Sequence, residues 1–144
     1  MNDAIVFERE ELVRFGHCDP AGIVFYPRYF EMLNALVEDW FTQGLDVDYA
    51  QLLGPRRIGM PTVHLATDFK RISRMGDRLT QRIRIVKLGR TSLTLDIAFD
   101  GPDGRRVAFE QVLVCTSLDT HQPQPFPDDL RAALERLAPA SPQQ

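Results

Sequence analysis

Residues 27–44, PRYFEMLNALVEDWFTQG, carry the pattern that decides the fold. The large apolar side chains recur at steps of three and four residues: Tyr29, Met32, Leu33, Leu36, Val37, Trp40 and Phe41. This spacing predicts one long amphipathic helix from Pro27 to Gly44, since proline suits a first helical turn and glycine suits the residue just past the end. The width of the apolar face predicts that a sheet covers most of the helix.

The sequence on both sides of this helix predicts strands. Residues 5–14 mix β-branched and apolar residues with charges, which favours an opening strand. A loop is expected over 45–60, and a short terminal helix over 127–137. Four more strands are predicted, at 62–72, 78–88, 92–99 and 106–118. Because turns such as 100–104 are short, neighbouring strands are expected to be antiparallel, which gives an α+β fold.

The composition is that of one globular domain. Hydrophobic residues make up 44% and charged residues 26% of the 144 residues, which excludes a disordered or low-complexity chain. We expect a single domain over residues 1–138, a flexible tail over 139–144 (PASPQQ), and two free thiols at Cys18 and Cys115. No apolar run approaches the roughly 20 residues that cross a bilayer. No signal-peptide pattern is found either, so we expect a cytoplasmic protein without membrane association.

Positive charge is concentrated in one part of the chain. The window from Lys70 to Arg90 contains eight basic residues and one acid, Asp77, so its charge is +7; the net charge of −3 then leaves −10 for the rest. This asymmetry predicts a polyanionic partner, and the alternative is a solvated basic strand face. Nucleic acid is not the expected partner, because the aromatic residues cluster around the helix and not within the basic window.

Residues 15–30, FGHCDPAGIVFYPRYF, concentrate the chemistry. Asp19 lies in a loop rich in proline and glycine, immediately before a helix whose first N–H groups carry partial positive charge. A carbonyl oxygen placed there would be polarised, and a carboxylate beside such donors is a minimal arrangement for hydrolysing an activated acyl group. The alternative is that Asp19 simply caps the helix.

Histidine and cysteine give weaker signals. His17, Cys18 and Asp19 resemble a catalytic triad on paper, but triad members usually come from distant chain positions, so Cys18 is not expected to be a nucleophile. His17 is a candidate hydrogen-bonding residue of a substrate pocket. His64, in a predicted strand, is another, with a structural role as the alternative. Three histidines and two cysteines without metal-ligand spacing predict no metal site.

The stretch GHCDPAGIVFYPRYF resembles the signature of the 4-hydroxybenzoyl-CoA thioesterase family of hot-dog proteins. The core of that signature, D-P-A-G-I-V-[FW]-Y-P-x-Y, stands at Asp19–Tyr29, and the resemblance extends over most of the chain. It implies the hot-dog fold, in which an antiparallel sheet wraps around one long central helix. It also implies hydrolysis of acyl-CoA thioesters without a metal or redox cofactor, by a homodimer or homotetramer with interfacial active sites.

The resemblance also implies roles for individual residues. Asp19 would act as nucleophile or general base, and the backbone N–H of Tyr26 would polarise the thioester carbonyl. Gly22, without a Cβ, would let the loop approach the acyl group closely. In the aromatic-CoA branch, basic residues around the turn between the third and fourth sheet strands bind the nucleotide. In that turn of this chain, only Arg90 matches a basic position of the family. Lys87, Arg71 and Arg74 are candidates to replace the missing basic residues.

Two departures from the family pattern concern the acyl group. Asn34 stands where the 4-hydroxybenzoyl branch has an aspartate that meets the ring hydroxyl, and His17 replaces an acid. Both changes favour a different substrate, such as benzoyl or another substituted aromatic ring. Two alternatives stay open: a thioesterase for short aliphatic acyl-CoA or acyl carrier protein, and a non-catalytic module that binds acyl-CoA.

Overall fold

The computed structural model describes residues 4–139, so residues 140–144 of the predicted tail lie outside the described residues. The strands are β1 (Phe7–Leu12), β2 (Ile58–Gly59), β3 (Thr62–Phe69), β4 (Arg78–Leu88), β5 (Ser92–Gly101), β6 (Gly104–Val114) and β7 (Thr116–Ser117). The helices are α1 (Pro27–Asp39), α2 (Tyr49–Leu53) and α3 (Asp128–Leu137), with a 3-10 turn at Phe15–His17 and a π-helical turn at Trp40–Gly44.

Five strands form one antiparallel sheet in the order β1-β4-β5-β6-β3. One face of the sheet is apolar because inward-facing residues alternate with polar ones, as in Leu93, Leu95, Ile97 and Phe99 of β5. These side chains share a single core with the buried face of α1, which comprises Tyr29, Met32, Leu33, Leu36 and Val37. Each fully buried side chain of this kind contributes about 1.5–3 kcal/mol. The predicted hot-dog arrangement of sheet and central helix is confirmed.

The long helix ends differently from the prediction. It is α-helical from Pro27 to Asp39 and then continues as the π-helical turn, in which the N–H of Leu45 donates to the carbonyl of Trp40 at 2.8 Å. Gly44 closes this turn against the Trp40 indole, where a Cβ would lie only 2.6 Å from Cδ1. The glycine is therefore needed for close packing.

The prediction of a plain loop over 45–60 is wrong. This stretch contains α2 and β2, and β2 pairs with β7 in a second, two-stranded sheet. Asp48 caps α2, because its Oδ1 accepts the N–H groups of Ala50 and Gln51 at 2.9 and 3.3 Å. Five residues make less than two turns, which is too short for a periodic pattern to show.

The bounds of four predicted strands need correction. The opening strand predicted over 5–14 spans Phe7–Leu12, and the strand predicted over 92–99 continues to Gly101. The strand predicted over 62–72 ends at Phe69, and the strand predicted over 106–118 begins at Gly104 and is interrupted at Cys115. Cys115 lies between β6 and β7, and its N–H donates to the Thr91 carbonyl at 2.7 Å, one residue beyond the pair Ser92 and Val114. Both cysteines are free, as expected.

The strand β3 lies at the edge of the five-stranded sheet, and none of its residues is buried. Its exposed apolar side chains include Val63, 61% exposed, and Phe69, 51% exposed. The core of one protomer therefore stops short of this edge. Within residues 4–139, no helix is both long enough and apolar enough to cross a membrane.

Candidate functional site

Asp19 begins a tight turn in the loop before α1. The Gly22 N–H donates to the Asp19 carbonyl at 2.9 Å, and the Asp19 N–H donates to the Ile23 carbonyl at 3.1 Å. Gly22 has φ +82°, a left-handed conformation that glycine adopts without strain. A Cβ at this position would meet nothing within 4 Å, so within one protomer the glycine is explained by backbone conformation and not by a close neighbour.

The carboxylate of Asp19 does not cap α1. Its Oδ1 accepts the N–H of Ala21 at 2.8 Å inside its own turn. The residue at the N-cap position of α1 is Tyr26, and no side chain caps the helix there. Within residues 4–139, Asp19 Oδ2 has no hydrogen-bond partner. The capping alternative is therefore excluded, and one carboxylate oxygen is available to another group.

The start of α1 presents one unpartnered N–H group. Pro27 has none to offer, while the N–H groups of Arg28 and Tyr29 donate to the carbonyls of Phe25 and Tyr26 at 2.9 and 3.1 Å. The Tyr26 N–H has no acceptor in the described part of the chain. This donor lies at the positive end of the helix, where it can stabilise a negatively charged oxygen.

A cavity of about 240 Å³ opens beside this loop. It is bounded by Ile23 and Val24 of the loop, by Tyr26 and Tyr29 of the helix start, and by Phe69 at the end of β3, with residues 70–73 as the remaining wall. The ring centroid of Phe69 lies 6.0 Å from that of Tyr26 and 6.1 Å from that of Tyr29. The cavity is thus largely aromatic and apolar. Asp19 does not line this cavity within one chain. Its N–H donates to the carbonyl of Ile23, and Ile23 lines the cavity.

The wall formed by residues 70–73 is attached to the loop. The Val24 N–H donates to the Ser73 carbonyl at 2.9 Å, and Ile23 forms a β-bridge with Arg74. Burial raises the pKa of the Tyr29 phenol above the ordinary value, and the nearby Ser73 hydroxyl opposes this shift. The phenol is therefore protonated at neutral pH and available as a polar group at the cavity.

The predicted substrate residues are not all brought together in one protomer. His17 shares the loop with Asp19: its Nδ1 accepts the Arg14 N–H at 2.9 Å, which places the proton of the neutral ring on Nε2. Asn34 is exposed on α1, outside the cavity lining. His64 lies on the face of β3 that points away from α1, with Nε2 3.4 Å from a carboxylate oxygen of Glu110.

The four candidate CoA-binding residues fall into two groups. Arg71 lines the cavity, and Arg74 is bridged to Ile23 through its backbone. Lys87 and Arg90 lie at the other end of β4, and at about 3.3 Å per residue the 11-residue strand separates the groups by roughly 33 Å. One protomer does not bring all four to a single ligand.

Much of the basic window is neutralised by acidic residues that are distant in sequence. Arg78 contacts Glu10 and Arg82 contacts Glu8, each at 2.9 Å, because β1 pairs with β4. The strand face is therefore not strongly basic. The basic residues of the window that have no ion pair within the described range are Lys70, Arg74, Lys87 and Arg90.

Sequence reasoning did not identify Phe69, Ser73 and Arg106 as parts of this site. Phe69 fits an ordinary strand pattern, and Arg106, in the run Gly104-Arg105-Arg106, looks solvent-exposed although it is buried. Nothing in the local sequence marks either residue, because their partners are distant along the chain. In the described range, no three His, Cys, Asp or Glu side chains are arranged to hold a metal ion.

Comparison with known proteins agrees with the fold and adds a family. The family model for the thioesterase-like superfamily matches residues 13–134. A 1,4-dihydroxy-2-naphthoyl-CoA hydrolase of Thermosynechococcus vestitus is 28% identical over 136 residues, which are 94% of this chain and 92% of that protein.

Two solved thioesterase structures superpose on most of the chain. A gentisyl-coenzyme A thioesterase superposes with a TM-score of 0.79 at 26% identity, over 88% of this chain and 98% of the other. A 1,4-dihydroxy-2-naphthoyl-CoA thioesterase from Synechocystis superposes with a TM-score of 0.82 over 91% of this chain and 96% of the other; at 21% identity this likeness concerns the fold alone.

Proposed function

Because this chain belongs to the thioesterase-like superfamily, we propose that it hydrolyses acyl-CoA thioesters and prefers aromatic acyl groups. The observation that carries the proposal is the loop that joins a carboxylate with a free oxygen, Asp19, to the unpartnered N–H of Tyr26 beside an aromatic cavity. The named relatives act on gentisyl-CoA and on 1,4-dihydroxy-2-naphthoyl-CoA, and both acyl groups are hydroxylated aromatic rings. Membership of the 4-hydroxybenzoyl-CoA thioesterase branch is part of this proposal.

In the proposed reaction, Tyr26 acts on the thioester oxygen, and Asp19 acts on the carbonyl carbon or on the attacking water. The Tyr26 N–H donates to the thioester oxygen as it becomes negative, and a donor of this kind contributes about 2.7–4 kcal/mol. Asp19 either attacks the carbonyl carbon, expelling CoA thiolate and leaving a mixed anhydride that water hydrolyses, or removes a proton from an attacking water. In both routes the C–S bond breaks and the products are the free acid and CoA. Neither route requires a metal or redox cofactor.

The acyl ring is proposed to lie in the cavity beside Tyr26, Tyr29 and Phe69. The rings of these residues already contact one another at about 6 Å, within the range of favourable aromatic pairs. A flat aromatic acyl group can add to this arrangement with the same edge-to-face geometry. Gly22 and His17 belong to the adjoining loop and are proposed to contact the substrate. Asn34 and His64 would reach it only from another protomer.

The proposed assembly is a homodimer or homotetramer. The edge strand β3 exposes its backbone and apolar side chains such as Val63, and pairing with a second copy would cover both. The separation of Arg71 and Arg74 from Lys87 and Arg90 also favours assembly, because a second copy can bring the distant pair to the CoA phosphates. A single domain over residues 1–138 and a cytoplasmic location stay predictions.

A panel of CoA esters tests the proposed activity by release of free thiol. We expect benzoyl-, 4-hydroxybenzoyl- and 1,4-dihydroxy-2-naphthoyl-CoA to be hydrolysed with a higher kcat/KM than butyryl- or palmitoyl-CoA. A preference for the aliphatic esters, or for acyl carrier protein, would instead establish the alternative thioesterase. Tight binding of the aromatic esters without turnover would establish a binding module.

The Asp19→Asn variant tests the catalytic carboxylate. We expect at least about a 10³-fold loss of kcat, since removal of a nucleophile or base commonly costs 10² to 10⁴ or more, with the melting temperature unchanged. Asp48→Asn is the matched control, because Asp48 caps α2 away from the loop and asparagine is an equally good cap. Undiminished turnover by a folded Asp19→Asn protein contradicts the mechanism. Single turnover in ¹⁸O-labelled water is followed by measuring the mass of the protein. Label in Asp19 establishes the anhydride route with water attacking the Asp19 carbonyl carbon, because the general-base route places the label only in the free acid.

A further inference from the structure

Arg106 is a buried charge directly behind the cavity wall. It is only 6% exposed, and its Nη1 donates to the Ile72 carbonyl, the Ser73 Oγ and the Asp77 carboxylate at 3.1, 3.0 and 2.9 Å. Its Nε donates to Asp103 at 2.9 Å, and its Nη2 lies 2.8 Å from the same carboxylate oxygen. The fixed fork of the guanidinium thus joins the wall to two acidic residues, a geometry that lysine cannot reproduce.

The wall is held by the main chain of Arg106 as well as by its side chain. The carbonyl of Arg106 accepts the N–H groups of Lys70 and Arg71 at 2.8 and 3.2 Å, so β6 supports the start of the wall. The guanidinium supports the end of the wall at Ile72 and Ser73, which line the cavity. Ser73 in turn holds Val24 of the Asp19 loop through its carbonyl.

Gly101 makes the space in which the guanidinium lies. A Cβ at Gly101 would be 2.5 Å from Arg106 Nη2 and 2.6 Å from Cζ. The backbone of Gly101 does not have a positive φ, so alanine is allowed there by conformation. The absence of a side chain is explained by the guanidinium alone. A methyl group at this position would displace the end of the Arg106 side chain from the place where it contacts Ile72 and Ser73.

A buried ion pair of this kind is a costly way to gain stability. Well-packed apolar side chains often stabilise a fold as well or better, because desolvation of the charges offsets their attraction. What the arginine adds is directional contact with two groups of the wall, the Ile72 carbonyl and the Ser73 hydroxyl. The consequence is a fixed distance between residues 72–73 and the helix start at Tyr26 and Tyr29.

We propose that Arg106, lying against Gly101, is a positioning residue that fixes the width of the acyl cavity and so sets the size of the acyl group. This inference rests on the proposed thioesterase function. Arg106 does not touch the reacting atoms in this arrangement. It acts through Ile72 and Ser73, which face the aromatic side chains across the cavity.

The test compares 2-naphthoyl-CoA with benzoyl-CoA in the wild type, Arg106→Lys and Gly101→Ala. The ratio of their kcat/KM values does not depend on the fraction of active protein, so a loss of folding alone leaves it unchanged. We expect both variants to raise the kcat/KM for 2-naphthoyl-CoA relative to that for benzoyl-CoA by about tenfold. This is the low end of the discrimination that one methylene group produces in an apolar pocket. Gly101→Ala displaces the guanidinium without removing it, so the test remains informative where Arg106→Lys folds poorly.

Arg105→Lys is the matched control. Arg105 is the preceding residue of β6 and is exposed, with its Nε 2.9 Å from Asp100 and no contact with the wall. We expect the selectivity ratio of this variant to equal that of the wild type. A ratio in Arg106→Lys and Gly101→Ala within about twofold of the wild type, far below the tenfold expected, overturns the inference.

A second measurement is independent of catalysis. The Val24 amide donates to Ser73, and the Arg74 amide donates to Asp77 at 2.9 Å, so both should exchange hydrogen faster when the guanidinium is displaced. We expect at least about tenfold faster exchange at these two amides, with the amides of α1 unchanged. If the wild type hydrolyses no ester, the proposed function fails while this measurement still decides the role of Arg106. Unchanged exchange at both amides contradicts it.

Discussion

Two aromatic clusters lie at the two ends of the long helical segment, and they differ in exposure more than in geometry. At the closed end, Trp40 and Phe41 are fully buried with ring centroids 5.5 Å apart. At the open end, Tyr26 is 60% exposed and its ring is 6.0 Å from that of Phe69. Both pairs meet edge to face, which is the preferred geometry of aromatic rings. One kind of contact therefore stabilises the fold at one end of the helix and leaves a surface for a ligand or a second copy at the other.

The largest expected effect is at the closed end. Phe41→Ala removes a fully buried ring and leaves a cavity, so we expect a loss of about 3–5 kcal/mol of unfolding free energy. Urea unfolding followed by circular dichroism measures this loss. Phe69→Ala is the matched variant at the open end, where the ring is already half exposed. We expect it to destabilise the protomer much less and to reduce kcat/KM for aromatic esters more. Equal destabilisation by the two variants would remove the distinction between the ends.

The edge strand beside the open end gives the next largest effect. Val63→Lys places a charge on β3, where it should prevent a second copy from pairing with the edge. We expect the mass measured by light scattering to fall to that of a monomer and the activity to fall with it. Val86→Lys is the control, because Val86 is also exposed but lies on β4, inside the sheet order. An assembled and active Val63→Lys protein contradicts pairing through β3.

Asp77, beside the cavity wall at the open end, should make the fold sensitive to acid. The Arg74 N–H, and then the Arg106 guanidinium, hold the pKa of Asp77 below its usual value of 3.8. The pKa of this carboxyl is lower in the folded protein than in the unfolded chain. The carboxylate therefore stabilises the fold at pH values above the unfolded pKa, and this contribution is lost as the pH falls through the folded pKa. We expect the unfolding free energy to decrease below pH 3.8, and to decrease less in Asp77→Asn. Identical pH profiles for the two proteins would exclude this contribution.

The smallest effect concerns the turn that carries Asp19. Gly22 has φ +82°, so Gly22→Ala should cost about 1 kcal/mol of unfolding free energy through backbone strain alone. Gly16→Ala, nearby in the same loop, is the control because its φ is not positive and a Cβ there meets nothing within 4 Å. We expect no measurable loss from it in the same unfolding experiment. A loss in Gly16→Ala equal to that in Gly22→Ala would mean that the loop is sensitive to any added methyl group.

The fold could be predicted from sequence where a pattern is long and periodic. The stripe from Tyr29 to Phe41 predicts the central helix, and the alternation of Ile83 and Ile85 with arginines predicts a strand over 78–88, which are the observed bounds of β4. Short elements could not be predicted in this way. The five residues of α2 follow a single capping residue, Asp48, and are too few to leave a periodic signal.

The candidate site was predictable only where it is local in sequence. Asp19, Gly22 and Tyr26 lie in one loop, and the structure keeps them together because that loop forms a small turn before α1. The far wall is assembled from residues 70–73 and from Arg106, which are brought together by sheet pairing. The same pairing joins Arg78 and Arg82 to β1 glutamates, so part of the charge asymmetry seen along the chain is neutralised in space.

The unburied strand β3 has a consequence for how the protein is handled and made. A free strand edge with apolar side chains is a template for non-native association as well as for correct pairing. With the proposed pairing of a second copy on β3, dilution from denaturant should show an optimum protein concentration: too little delays this pairing, and too much favours aggregates. Recovery of native protein should rise when an added aromatic CoA thioether drives the docked state by mass action.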